Sequence, residues 1–354
     1  MYSVEFKGIN SFLVGASKLL LQEGVKRNTR GEVCYELPAP IIIKISNPCA
    51  RIVTIPERKW NLTLPYAESL WIASGRNDIA LIKHYLKKML NYSDDHLFMR
   101  AGYGPRLRFH NGIKNDYEIG FTSHEIRQEG VEVVEVDQFK FIEKIFERDP
   151  NTRQAIISIN DPAKDFFSSS ENLKVTKDFP CTCTIQFLKV NGKLDLIVHM
   201  RSNDFVWGAS AVNIFNYTFM QEYFSRILNL EIGNYYHVVN NFHYYENFKG
   251  LLQTLADINH PLDDSYEYGK AFRNLEEFDQ MIRLLESYEN DIRNRRVSSI
   301  IDFGDDFFND WAKMLYRFNI DKNFNKFTNP ILVNLLSHNT DGYTTEQRPT
   351  HTAK

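Results

Sequence analysis

Long apolar runs are missing from this chain of 354 residues. No stretch of about 18 consecutive apolar residues occurs, which excludes a membrane-spanning helix on hydropathy. The start, MYSVEFKGIN, lacks the basic-then-apolar order of a secretory leader. Cysteine is scarce: Cys34, Cys49, Cys181 and Cys183 are all there is, and none forms a CxxC pair. Neither a secreted disulfide framework nor a metal centre is expected, and reduced thiols in a cytoplasm are the economical reading. Charge of one sign is lacking too, since 42 basic and 45 acidic side chains leave a net −3. That balance excludes a broad nucleic-acid footprint and leaves room for a local basic pocket around one phosphate. No internal repeat is present.

What the chain does have is a core: 43% hydrophobic residues over this length build one large domain, with or without an appendage. Its most legible stretch is FPCTCTIQF, a hairpin, then HMRSNDFVWGASAVN. Asn191-Gly192 between LKV and KLDLIV is the strongest short hairpin signal. Pairing 186–190 with 193–198 brings Cys181 and Arg201 to the same open end of the ladder. A cysteine beside an arginine is a thiol whose anion is stabilised, hence a usable nucleophile near neutral pH. A cysteine at a strand start is also commonly a small core residue. In a regular strand Cys183 shares a face with Cys181, roughly 7 Å along the chain.

Along the chain, apolar spacing predicts a helix over 11–23 stopped by Gly24. KRNTRGE then reads as a polar loop before strands over 33–37 and 41–45. Helices follow over 64–91, broken at Gly75, with Glu68 on a mostly apolar surface. A carboxylate there is costly unless hydrogen-bonded or useful. A helix is expected over 136–148, a strand over 155–159, and a serine-rich surface loop over 161–178. Then come a helix over 214–228 and a strand over 238–242 ending at His243. Three helices are expected over 272–290, 306–318 and 329–336. The order of elements is α+β.

Pro180-Cys181, Gln186-Phe187, Arg201-Ser202-Asn203-Asp204, Gly208, Asn213 and Asn241-Phe242-His243-Tyr244-Tyr245 resemble, in order and approximate spacing, the thymidylate synthase family. That family includes the deoxycytidylate, deoxyuridylate and cytidylate hydroxymethylases. The resemblance runs from about residue 20 to about residue 250. It implies a mixed sheet flanked by helices as a catalytic domain over 1–250, with a helical C-terminal extension over 251–337 in a packing role. A tail over 338–354 is expected to be disordered.

The resemblance further implies a homodimer with shared active sites, a pyrimidine nucleoside monophosphate as substrate and 5,10-methylenetetrahydrofolate as cofactor. Cys181 adds to C6 of the ring, beside Arg201, and this makes C5 nucleophilic. Glu68 and Tyr103 handle protons. Arg30, Arg201, Ser202 and the partner's share of Arg153 hold the phosphate, with Gln186 counted among the substrate contacts. Asn213 reads the base, and His243 and Tyr245 the sugar. Asp204, Trp71, Gly208 and Arg58 belong to the cofactor side. Several departures from the family pattern stand out. Arg153 is followed by Gln154 instead of a second arginine, and Asn241 replaces aspartate. The segment from Gly208 to Asn213 is one residue longer than the synthase pattern. Trp207, Ala209 and Ser210 replace a Leu-Gly-Leu-Pro-like loop. With the long extension in place of a short closing tail, these point to hydroxymethylation of CMP, dCMP or dUMP over reductive methylation. The product would be a nucleotide for phage-type DNA or a nucleoside natural product. The alternatives are a divergent thymidylate synthase and a non-catalytic nucleotide-binding relative. A cysteine hydrolase fits less well, because no histidine is placed as its base.

Overall fold

Asn191 and Gly192 take φ of 51° and 82°, the left-handed pair that a two-residue turn needs to match strand twist. In the computed structural model, which describes residues 1–29, 32–111, 135–169 and 171–337, this turn joins two long strands of a mixed sheet. The N-terminal third supplies β1 (Tyr2–Phe6), α1 (Ile9–Glu23), β2 (Val25–Thr29), β3 (Glu32–Glu36) and β4 (Ile41–Ile45). Helices α2 (Thr63–Ala73), α3 (Ile79–Tyr85) and α4 (Tyr103–Arg108) follow. Next are the short pair β5 (His110–Asn111) and β6 (Glu135–Val136), then α5 (Gln138–Arg148), β7 (Ile156–Ser158) and α6 (Pro162–Asp165). The hairpin is β8 (Thr182–Val190) and β9 (Lys193–Met200), leading to β10 (Asn203–Asp204) and a π-helix (Phe205–Asn213). Helix α7 (Ile214–Ile227), β11 (Glu231–Val239), β12 (Phe242–Tyr245) and helices α8 (Lys249–Ala256), α9 (Leu275–Arg293), α10 (Asp306–Asn319) and α11 (Pro330–Ser337) complete it.

Six strands run in the order β1-β4-β11-β9-β8-β7, and a smaller sheet runs β10-β12-β3-β2. Gln186 pairs with Ile197 and Val190 with Lys193, the register that the hairpin turn predicts. One face of the large sheet is sealed: Ile43, Tyr235, Val198 and Phe187 are buried in a single core. The alternating face keeps Ile42, Tyr236, Ile197 and Leu188 only partly buried. Helix α7 lies on the sealed face, and all of it but Arg226 is buried. A helix buried all round belongs to a core rather than a surface.

Three expectations need correcting. KRNTRGE is not simply a loop, because Val25–Thr29 pairs antiparallel with β3 and extends the small sheet. The strand expected over 238–242 is the end of one strand and the start of another: β11 stops at Val239 and β12 begins at Phe242 in the other sheet. The 161–178 stretch is not all surface, since Asp165 is 1% exposed. Its carboxylate accepts from Arg106 Nη1 and Nη2 at 2.8 Å each and from Arg100 Nη1 at 3.1 Å. Arginines upstream, which no local pattern reveals, draw this segment inward. The expected tail over 338–354 lies outside the described residues.

The helices after β12 share the main core. Phe307 stacks on Phe219 of α7 with centroids 4.5 Å apart, and Trp311 Nε1 donates to Tyr66 O at 2.8 Å. Glu222 of α7 is fully buried between Arg51 Nη1 at 2.5 Å and Lys270 Nζ at 3.2 Å. Burial opposes its ionisation, but the two cations outweigh it and hold the carboxyl below the ordinary range. A depressed carboxylate contributes stability above its unfolded pKa that is lost as pH falls through the folded one. Glu222→Ala strands two buried cations and is expected to cost about 3–5 kcal/mol in urea unfolding at pH 7. A loss below about 1 kcal/mol would show that this triad does not bind the C-terminal helices to the core.

Candidate active site

Cys181 precedes β8 and Arg201 follows β9, so the hairpin ladder brings them face to face. The Arg201 backbone N–H donates to Cys181 O at 2.9 Å. Its side chain donates from Nε to Pro180 O at 2.7 Å and from Nη2 to Phe179 O at 3.1 Å. That grip holds Nη2 at 3.5 Å from Cys181 Sγ, with the guanidinium carbon 4.9 Å from the centre of the Phe179 ring. A cation fixed there stabilises a thiolate, the form that attacks. Cys183 behaves differently from a regular strand residue. Thr182 pairs with Met200 and Thr184 with His199, which leaves Cys183 as the extra residue of a β-bulge. The bulge breaks the expected alternation with Cys181. Burial pushes the Cys183 thiol up, with Arg201 opposing.

The bulge also turns Thr182 into the core, where it meets two tyrosines. Tyr103 OH accepts from Thr182 N at 3.2 Å and from Thr182 Oγ1 at 3.1 Å. Thr182 Oγ1 and Tyr217 OH are 2.6 Å apart. Because Thr182 gives its one hydroxyl proton to Tyr103, Tyr217 is the donor to Thr182, and the Tyr103 proton is left for a third group. Tyr217 is one of a polar stripe on α7 and its N-terminal approach. Asn213, Asn216 and Tyr217 stand at i, i+3 and i+4, hence on one face. Asn216 Oδ1 accepts from Ser69 Oγ at 2.9 Å, and the Asn216 side chain hydrogen-bonds Glu68. Burial pushes the Glu68 carboxyl up to about 7, with Asn216 opposing. The stripe therefore carries Asn216, bonded to Glu68, and Tyr217, bonded through Thr182 to Tyr103 beside Cys181, with Asn213 on the same helix face. A polar i, i+3, i+4 set inside an apolar helix was the signal for Asn216 and Tyr217, and sequence reasoning passed over it.

Asp204 closes the strand after Arg201 and caps the π-helix, accepting from Trp207 N. The N–H of Ile214 reaches back to Ala209 O, the i→i+5 spacing that absorbs the extra residue between Gly208 and Asn213. Arg58 clamps this segment, donating from Nε to Ser210 Oγ at 3.1 Å and from Nη2 to Val206 O at 2.6 Å. Burial pushes the Asp204 carboxyl up to about 7, against backbone N–H groups and Arg58. On the other flank Ser202 Oγ donates to Asn241 Oδ1 at 3.3 Å, and Asn241 Nδ2 donates to Glu36 Oε2 at 2.6 Å. Burial resists ionisation of Glu36, but Arg27 and Asn241 outweigh it and hold the carboxyl low. An aspartate at 241 would face that carboxylate, which gives the asparagine a physical reason. His243 lies beside Asp204 across the parallel pair β10 and β12, with Tyr245 edge-on to its ring at 5.5 Å.

Of the remaining described candidates, Gly208 sits at the site and the others lie away from it. Trp71 is 4% exposed, and its indole N–H donates to Asp78 O at 3.0 Å. Gly208 packs against the side chains of Asn203 and Asn213. Gln186 stands on the half-open sheet face, donating from Nε2 to Arg153 O at 3.1 Å, and the Arg153 side chain is exposed there. Arg30 lies outside the described residues.

A thiol facing an arginine, and a buried glutamate whose carboxyl is raised, agree with what comparison with known proteins finds. The family model described as thymidylate synthase matches residues 17–262. The chain belongs to the thymidylate synthase family. A deoxyuridylate hydroxymethyltransferase of Bacillus phage SP01 is 34% identical over 226 residues, 64% of this chain and 54% of that protein. One from Pseudomonas phage M6 is 29% identical over 259 residues, 73% of this chain and 66% of the relative. One from Delftia phage PhiW-14 is 28% identical over 210 residues, 58% and 52% respectively. The chain thus spans between half and two thirds of the length of these curated relatives. The architecture is the family's α+β fold, mixed sheets flanked by helices with a helical C-terminal region. The site residues fit the folate that the family implies, since Asp204 Oδ2 is buried without a hydrogen bond among the described residues and suits the donor edge of a pterin. Among the described residues no group of three or more His, Cys, Asp or Glu could hold a metal ion, and no helix is long and apolar enough to cross a membrane.

A carboxyl raised in the fold favours its protonated form. Its contribution is fully present below about pH 4.5 and is lost as pH rises through about 7. Glu68→Gln is therefore expected to melt higher than the parent at pH 8 by more than at pH 5. Equal differences at both pH values would contradict the raised carboxyl.

Proposed function

We propose that this chain transfers the one-carbon unit of 5,10-methylenetetrahydrofolate to C5 of a pyrimidine deoxynucleotide, deoxyuridylate, and releases the 5-hydroxymethyl product. The observation that carries the reading is the Arg201 Nη2 to Cys181 Sγ distance of 3.5 Å, held by two backbone carbonyls at the hairpin end. A binding protein needs no nucleophile so equipped. The three phage relatives are named for this reaction.

Cys181 adds to C6 of the ring, and the electron pair that leaves the 5,6 double bond makes C5 nucleophilic. When bound, methylenetetrahydrofolate supplies the one-carbon unit at the oxidation level of formaldehyde and leaves as tetrahydrofolate. Once that carbon is joined to C5, the C5 proton passes to a bound water, a second water gives its oxygen to the carbon and its proton to solvent, and Cys181 leaves as thiolate while the 5,6 double bond reforms. Glu68, with its proton held to about pH 7, serves the 4-substituent and its waters. Tyr103, its oxygen loaded by two donors from Thr182, turns its own proton toward the water that takes the C5 proton. Asn213 reads the base, and His243 and Tyr245 meet the sugar. Ser202, Arg201 and Arg30 hold the phosphate with a partner's Arg153. Asp204 faces the pterin, and Arg58 and Gly208 shape that wall from behind.

The half-open sheet face with Ile42, Tyr236, Ile197 and Leu188 fits a second copy of the chain. Arg153 is exposed just before the edge strand β7, as a residue lent across such an interface must be. The longer π-helical segment beside Asp204 favours a site that admits an ordered water, hence hydroxymethyl over methyl.

Incubation with dUMP and methylenetetrahydrofolate, followed by mass analysis, tests the reaction. Gain of one CH₂O with release of tetrahydrofolate is expected. Gain of CH₂ with a rise in dihydrofolate absorbance would make the protein a thymidylate synthase instead. Arg153→Ala is expected to lose activity at least tenfold, and mixing with an inactive Cys181→Ser chain should restore part of it by assembling one complete site per dimer. No rescue in well-folded mixed dimers would overturn the shared site.

A further inference from the structure

Behind Asn213 runs a buried chain of side chains that the reaction itself does not use. Tyr235 OH lies 2.8 Å from His237 Nδ1, and His237 Nε2 lies 2.9 Å from Asn203 Oδ1. Asn203 Nδ2 then donates to Asn213 Oδ1 at 2.8 Å. Tyr235 and His237 are fully buried, and Asn203 is 4% exposed. Burial holds the His237 imidazole down to about 3, so it is neutral and carries one N–H.

The direction of every bond follows from the far end. Among the described residues His237 is the only hydrogen-bond partner of the Tyr235 hydroxyl. Were Nδ1 the protonated nitrogen, the tyrosine would accept and its own proton would be buried unpaired, the costlier defect. Tyr235 therefore donates to Nδ1, and the His237 proton sits on Nε2. Nε2 donates to Asn203, which must present Oδ1 to it and Nδ2 to Asn213. Asn213 answers with Oδ1, and its Nδ2 is left without a hydrogen bond among the described residues and is not fully enclosed. Gly208 provides the room: a Cβ there would stand 2.3 Å from Asn203 Nδ2 and 2.9 Å from Asn213 Oδ1.

We propose that Asn203, set by Tyr235 and His237, is the positioning residue that fixes the Asn213 amide with its N–H₂ toward the base and so selects uracil over cytosine. This rests on the reading of the cleft as a pyrimidine nucleotide site. Uracil offers a carbonyl oxygen at C4, which accepts from Nδ2, whereas cytosine offers an amine, which would meet a second donor. Asn203 touches no base atom and acts only through Asn213.

Calorimetric titration of the full chain with dUMP and with dCMP, without folate, measures the choice apart from catalysis. The parent is expected to bind dUMP at least tenfold tighter. Asn203→Asp puts an oxygen opposite Asn213, which turns to donate to it and shows Oδ1 to the base, so the preference should swing toward dCMP. Tyr235→Phe keeps the ring but frees the His237 tautomer, and should shrink the preference by about tenfold. The Tyr235→Phe chain also serves if Asn203→Asp fails to fold. Parallel weakening of both nucleotides, with their ratio unchanged in folded variants, would mean a merely structural role and overturn the proposal. So would equal binding of the two by the parent. If the binding shifts appear but the parent turns nothing over, the amide chain stands and the catalytic reading falls.

Discussion

The site depends on the guanidinium of Arg201 bridging the two strand ends of one hairpin. It bonds the carbonyls of Phe179 and Pro180 and faces the sulfur of Cys181. Two neutral acceptors and a thiol share one fixed cation, so the charge near the sulfur does not wait for substrate. Preorganisation of this kind removes the reorganisation cost from the chemical step. The same hairpin carries the bulge that turns Thr182 inward, and through Thr182 the tyrosines and the polar stripe of α7 are tied to the nucleophile.

That stripe needs a rigid support. Helix α7 is buried nearly all round, and its polar groups are each costly unless paired. Asn216 is paired with Ser69, Gln221 with Leu194 O and Asn234 O, and Glu222 with Arg51 and Lys270. The chain after β12 supplies part of this support, through Lys270 of the segment before α9 on Glu222 and through Phe307 of α10 stacked on Phe219.

Local patterns in the sequence carried the hairpin, the order of elements and the meeting of Cys181 with Arg201, because turn chemistry and strand register are local. Helix periodicity placed α9, α10 and α11 within a few residues but passed over α8. The buried links were not legible. Asp165 is fixed by Arg100 and Arg106, about sixty positions upstream, and Asn203 by His237, 34 positions downstream. Such pairs leave no periodic trace. Strand β2 was hidden because KRNTRGE is polar on both faces, and an edge strand of the small sheet needs no apolar alternation. The extra residue before Asn213 was visible as a length, but only the backbone shows it absorbed as a π-helix.

The central claim is that Cys181, and not Cys183, attacks the ring. The direct measurement is peptide mass mapping after incubation with 5-fluoro-dUMP and methylenetetrahydrofolate, because a fluorine at C5 cannot leave and the sulfur–C6 bond persists. The account predicts one nucleotide–folate adduct on Cys181, absent from Cys181→Ser and retained in Cys183→Ser. An adduct on Cys183, or no covalent adduct at all with a bound nucleotide, would contradict it.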